Sequence, residues 1–297
     1  MTAPRFSVVL PTFERMDVLQ QTLDRIDAQD YLRGGGSLEV IAVDDGSTDG
    51  TAPFLRERAE RDDRLRVVEQ PNRGAAQARN RAVEEASGTI LFFLGDDILL
   101  APDVLARCDR FFTDPGHARA GFLGNLVQEL GDDAFARWLA GSDRQHIFHE
   151  LQQSGNVEWR YVEACLFAVL REELGPDLRF REDLRYYENL EWAHRLKRAG
   201  FEFYFDKECI GHHRHPVTLQ GYLERSYRTG RTLPLLVRED LGLLPVRWNG
   251  RKGARLVLDG LLARLRVPGA RQRYWRGAIH RALARGYADA GGPPRLD

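Results

Sequence analysis

The chain has 297 residues, with 43 Lys+Arg against 44 Asp+Glu, 43% hydrophobic and 29% charged residues. That balance excludes a disordered or fibrous protein, and the length suits one large α/β domain carrying an appendage. The near-neutral total hides a split: from Val217 onward 16 basic residues face 6 acidic ones, so the body is acidic and the tail basic.

Taken in chain order, Phe6–Leu10 reads as a strand. Arg15–Ala28 reads as a helix with Val18, Leu19, Thr22, Leu23 and Ile26 on one side. Leu38–Val43 is a second strand, and Ser47-Thr48-Asp49 after it offers side chains suited to a helix N-cap. A strand at Leu65–Val68, a helix over Ala75–Ala86 and a strand at Thr89–Leu94 continue the alternation. The pattern predicts a mainly parallel sheet with helices on its faces.

Beyond Pro102 the rhythm loosens. A helix to about Phe112, a strand at Ala120–Val127, a polar stretch from Gly131 to Gly155, a strand over Arg160–Leu170, a helix at Glu188–Arg198 and a strand at Phe201–Phe205 are expected. From Thr218 the apolar spacing is helical, through Leu219, Tyr222, Leu223 and Tyr227, then Ala254–Leu265, then Trp275–Leu283. The expected division is 1–216, with halves of about 1–100 and 101–216, followed by a helical extension over 217–297.

Cys108, Cys165 and Cys209 lie far apart with no CxxC pair, which argues for reduced thiols and a cytoplasmic setting. No leader-like stretch precedes Phe6, and the apolar runs Ile90–Leu94 and Cys165–Leu170 are too short to cross a bilayer. The expectation is a soluble protein. Its basic tail would present a solvated helix face, with its amphipathic helices packing first of all against the catalytic domain, or else closing over the acceptor site, forming a homodimer contact or resting on the inner membrane surface.

The chain contains no Walker loop, no G-x-G-x-x-G after a strand and no G-x-S-x-G elbow. Ligands of such sheets sit beyond the carboxyl ends of the strands. Two of the three early strand ends carry paired acids, Asp44-Asp45 and Asp96-Asp97. Adjacent carboxylates ending an apolar strand are costly to bury without a cation, and Mg²⁺ or Mn²⁺ is commonly held by one or two carboxylates plus phosphate oxygens. A carboxylate at Asp44 or Asp45 can accept the imide N–H of uracil, and Phe13 offers a stacking surface. His212, His213 and His215 follow the last expected strand, and one of them could complete the shell begun by Asp97. Glu188 and Glu191 share one face at a helix start, where an ionised carboxylate can act as a general base.

Taken together, these stretches resemble the family 2 glycosyltransferases of the GT-A fold. The matching segments are Ser7–Arg15, Val43–Asp49, Asn72–Asn80, Phe93–Asp97 at the place of the metal-binding DXD motif, Tyr187–Gly200 and Gly211–Pro216. The resemblance implies a Rossmann-like α/β domain that transfers a sugar from a nucleotide-sugar, a UDP-sugar first among donors, to a hydroxyl acceptor of a glycan or glycoconjugate, with inversion. It implies that Pro11, Phe13, Glu14, Arg15, Asp45, Asn72, Gly74, Arg79 and Asp96 hold the donor. Asp97 and His212 would hold Mn²⁺ or Mg²⁺, and no nucleic acid would be involved. Gly95 replaces the first acid of the DXD motif. Asn189 stands where the family more often has the Asp regarded as base, so Glu188 and then Glu191 become the candidates, and a retaining transferase or a non-catalytic nucleotide-sugar binder stays open.

Overall fold

The computed structural model describes residues 3–129, 133–140, 151–214, 217–237 and 269–291. Contacts gather these into two units. The first comprises Met1–Glu129, His146–Asp183 and Glu188–His215, and the second comprises Leu130–Gln145, Leu184–Tyr187 and Pro216–Asp297.

The first unit begins as successive βα units. Strand β1 (Phe6–Thr12) runs into helix α1 (Met16–Asp27) and the single turn α2 (Asp30–Arg33), then β2 (Leu38–Asp44), α3 (Thr51–Ala59), β3 (Leu65–Glu69), α4 (Ala75–Glu85) and β4 (Ile90–Leu94). β1 lies between β2 and β4, with β3 outside β2, and all three ladders are parallel. Because helices cover the sheet, these strands read as continuous Val, Ile, Leu and Phe runs. Phe6, Val8, Val9, Leu10, Ile41, Val43 and the whole of β4 are buried. In α1 the buried residues are the five expected from spacing.

The later elements are β5 (Ile98–Leu100), α5 (Val104–Phe111), β6 (Ala120–Gln128), α6 (Ala134–Ala140), β7 (Gly155–Val157), β8 (Leu166–Leu170), α7 (Glu188–Arg198) and β9 (Glu202–His213). The sheet order is β3-β2-β1-β4-β8-β6-β9-β5, with β7 also paired to β9. β8 enters antiparallel to both β4 and β6, while β6 and β9 are parallel. The core here is aromatic: Trp192 of α7 stacks on Phe180 at 4.2 Å and meets Phe93 and Phe167 edge-on.

Three sequence expectations change. The strand expected over Arg160–Leu170 begins only at Leu166, preceded by a 3₁₀ turn at Trp159–Tyr161. The strand expected to stop at Phe205 continues to His213, because β6 and β5 both supply backbone partners for its second half. The helix after β2 starts at Thr51 behind Gly50, whose φ of 97° suits glycine. There Asp49 accepts bonds from the Thr51 amide and hydroxyl and from the Met16 amide, linking α1 and α3.

In the second unit α6, α8 (Leu219–Val237) and α9 (Ala270–Asp289) bring Phe135, Leu139, Trp275 and Ile279 into a small core, with Tyr222 and Trp138 against it. α8 and α9 cross at Gly230 and Gly286: a Cβ on Gly286 would lie 1.9 Å from the Tyr227 carbonyl oxygen, so the contact is backbone on backbone. The expected helical stretch Ala254–Leu265, and His215, lie outside the described residues. Among the described residues no helix is long and apolar enough to cross a membrane.

Candidate active site

The carboxyl ends of β1, β2 and β4 converge, and the residues after them form the site. After β2, Asp44 accepts from the Ser47 amide, and the turn at Gly46 has φ 83°. A Cβ there would sit 2.9 Å from the Asn72 amide nitrogen, so the turn and the 70–74 loop pack through their backbones. Buried Asp45 accepts from the Gln70 side chain (2.7 Å) and from the Arg73 and Gly74 amides (2.8 and 2.7 Å). Its carboxylate therefore fixes the loop that carries exposed Asn72 and leads into α4 at Gly74.

After β1, Pro11 is half-buried and Phe13 is 44% exposed, one of few large apolar side chains left in solvent among the described residues. Glu14 has φ 54°, a strained value for a residue with a side chain. Its amide bonds the Ser47 hydroxyl, and its carboxylate accepts from the Thr48 amide and hydroxyl, so this side chain braces the β2 loop.

After β4, the turn Gly95–Asp97 is fastened on three sides. The Gly95 amide donates to the Cys165 carbonyl, the Thr22 hydroxyl to the Asp96 carbonyl, and the Arg214 amide to the Asp97 carbonyl. A side chain at Gly95 would meet Ile98 and Cys165 at 3.0 and 3.1 Å, so the turn is packed tightly around glycine. Arg15 reaches both carboxylates, at 4.0 Å from Asp96 and 3.7 Å from Asp97. Burial and then the adjacent Asp97 push the Asp96 carboxyl up to about 7 even with Arg15 beside it.

The histidine that faces them is His213, not His212. His213 Nε2 lies 3.3 Å from Asp97 Oδ2, while its Nδ1–H donates to Gln128 Oε1 at 2.8 Å. His212 is exposed, because neighbours in a strand point to opposite faces. Parity would have told them apart had the strand been extended through the Gly-His-His segment. With Nδ1 carrying its proton toward Gln128, the facing imidazole nitrogen and carboxylate oxygen need a proton or a cation between them. Among the described residues no cluster of three or more His, Cys, Asp or Glu forms a metal cage. Asp97 and His213 fit a divalent ion that takes its remaining ligands from phosphate oxygens and water.

Of the two glutamates on α7, Glu191 is bound up within the protein. It is buried and held in a two-point pair with Arg195 (2.7 and 2.9 Å), which in turn donates to the Asp177 and Arg179 carbonyls. The i, i+4 spacing of Glu191 and Arg195 on one helix was the signal for this pairing. Glu188 accepts from Arg79 at 2.9 Å, and Tyr187 before it has φ 62°. Among the described residues two buried polar atoms here lack a hydrogen-bond partner, Arg79 Nε and Asn189 Oδ1. Such atoms are expensive to bury alone, and a polar ligand would satisfy them.

The fold is that of the GT-A glycosyltransferases. The model of glycosyl transferase family 2 matches residues 7–174, more than half of the chain, and the chain belongs to glycosyltransferase family 2. It is 27% identical over 233 residues to glycosyltransferase AglE of Haloferax volcanii, covering 77% of this chain and 73% of that protein. To the putative teichuronic acid biosynthesis glycosyltransferase TuaG of Bacillus subtilis it is 29% identical over 217 residues, covering 71% and 79%. Among solved structures, mannosyltransferase PcManGT from Pyrobaculum calidifontis, in complex with GDP-Man and Mn²⁺, shares the fold with TM-score 0.65 and 22% identity over 97% of this chain and 88% of that one. S. aureus TarS does so with TM-score 0.57 and 19% identity over 78% of this chain, which spans only 39% of the TarS chain.

Proposed function

We propose that this glycosyltransferase moves a sugar from a nucleotide-sugar, with UDP-sugars the first donors to test, to a hydroxyl acceptor in the synthesis of a glycan, polysaccharide or glycoconjugate, with inversion at the anomeric carbon. The observation that carries the reading is the confined pair Asp96-Asp97 facing Arg15 and His213, at the strand ends where Phe13 and the Asp45-held loop also meet. Phe13 would stack the base, and Pro11, Asn72, Gly74 and the main chain around Asp45 would line the nucleoside. Arg15 and Arg79 would turn positive charge toward the diphosphate, and Asp96 would accept from a ribose or sugar hydroxyl. Asp97 and His213 would hold Mn²⁺ or Mg²⁺, which supplies positive charge toward the departing nucleoside diphosphate. Two similar proteins support the reading: TuaG is named as a putative teichuronic acid biosynthesis glycosyltransferase, and PcManGT is described in complex with GDP-Man and Mn²⁺.

Calorimetric titration of UDP and GDP, with and without Mn²⁺, tests this on the native protein and on Asp97→Ala. Binding strengthened at least tenfold by Mn²⁺ and lost in the variant is the expected result. Failure of every nucleoside diphosphate to bind would end the reading.

A further inference from the structure

Residue 189 is an amide that cannot take a proton, and Glu188 and Glu191 are each paired with an arginine. Asn189 points to another carboxylate. Its Nδ2 donates to Glu163 Oε2 at 3.4 Å, while its Oδ1 is buried without a partner. Glu163 comes from the segment that enters β8, a part of the chain that motif spacing does not single out.

The sheet brings that segment to the site. β8 runs antiparallel to β4, with Leu166 opposite Leu94, so the residues leading into β8 lie beside the turn that follows β4. The Gly95 amide bonds the Cys165 carbonyl at 3.0 Å, fixing Glu163–Cys165 alongside Gly95–Asp97. The same rim holds the start of α7, since Arg79 of α4 pairs with Glu188 and Asn189 reaches Glu163. A side-chain amide that donates to a carboxylate with one end and keeps a buried acceptor at the other can receive a neighbouring hydroxyl of the acceptor, or the second proton of a water, on its oxygen, which leaves the attacking O–H proton facing the carboxylate.

We propose that Glu163 is the general base of the transfer reaction and that Asn189 positions it and the acceptor. This rests on the glycosyl-transfer reading above. The acceptor O–H proton passes to the Glu163 carboxylate as the acceptor oxygen forms its bond to the anomeric carbon. The bond from that carbon to the diphosphate oxygen breaks, and its electron pair leaves with the nucleoside diphosphate. Glu163 then returns its proton to solvent.

The test uses the full chain and the donor that turns over fastest among UDP-Glc, UDP-GlcNAc and GDP-Man, read as release of nucleoside diphosphate with water as acceptor, beside calorimetry of the same nucleoside diphosphate with Mn²⁺. Glu163→Gln is expected to keep nucleotide affinity within about twofold while lowering kcat by roughly 10²–10⁴, the usual contribution of a positioned base. Its rate should also lose the rise with pH that a carboxylate base imposes. In the Glu163→Gln background, Asn189→Asp should restore at least about tenfold of the lost rate by returning a carboxylate to the rim. Turnover by Glu163→Gln within threefold of the native enzyme, with Glu188→Gln inactive, would overturn the assignment and give the role to Glu188. A native protein that binds no nucleoside diphosphate would overturn both this inference and the reading beneath it, whereas native binding and turnover with an indifferent Glu163 variant would overturn this inference alone.

Discussion

The sheet joins two halves built on different principles. In the β3-β2-β1-β4 half every ladder is parallel and each strand is followed by a helix or a short turn close in sequence. In the β8-β6-β9-β5 half the partners come from far along the chain, as where Ile98 pairs with His213 and Gly121 with Phe203. The first half is specified by local periodicity and the second by contacts that form only once the chain has come together. Single substitutions should therefore act on stability differently in the two halves.

The largest effect belongs to the second half. Trp192 is fully buried, packs on Phe180, Phe93 and Phe167, and donates its indole N–H to the Leu178 carbonyl. Trp192→Ala should cost about 3–5 kcal/mol in urea unfolding. A loss below about 1 kcal/mol would show that this aromatic cluster does not hold the half together.

Next comes Glu191→Gln, which leaves Arg195 without its carboxylate while Arg195 still reaches the Asp177 and Arg179 carbonyls. With Arg195 partly in solvent, a destabilisation of about 2 kcal/mol is expected, below the full penalty of breaking a buried pair. The check is thermal unfolding combined with turnover per folded molecule. A variant of native stability that has lost turnover would return Glu191 to the catalytic candidates.

The smallest effect sharpens the contrast from the first half. Burial alone would raise the Glu39 carboxyl, but bonds from Ser7, Ser87 and Gly88 together hold it below its ordinary 4.5. A carboxyl lowered in the folded state binds protons less readily than in the unfolded chain. Its contribution is therefore present above the ordinary carboxylate range and lost as pH falls through the folded value. Stability of the native protein should fall more steeply than that of Glu39→Gln below about pH 4.5. Parallel pH profiles would remove Glu39 from the account.

This division also explains what the sequence could reveal. The buried face of α1 and the strands from Phe6 to Leu94 follow from spacing, because their partners repeat a local pattern. The paired acids at strand ends were visible for the same reason. The extension of β9 was not, since its second half exists only because β5 and β6 flank it, and that extension decides which of two adjacent histidines faces Asp97. Glu163 has no motif around it and reaches the site by antiparallel pairing of β8 with β4. Glu191 sits in a recognisable segment, and its neighbour one helical turn on gives it a different task.

One feature of the regular half reaches beyond stability. Asp45 holds Gln70, Arg73 and Gly74 with three hydrogen bonds made entirely within the protein. The conformational entropy of that loop is thus lost during folding, and little remains to be lost when a partner arrives. Molecules meeting this surface encounter a finished shape, so association there is governed by collision and orientation, with no wait for the loop to close.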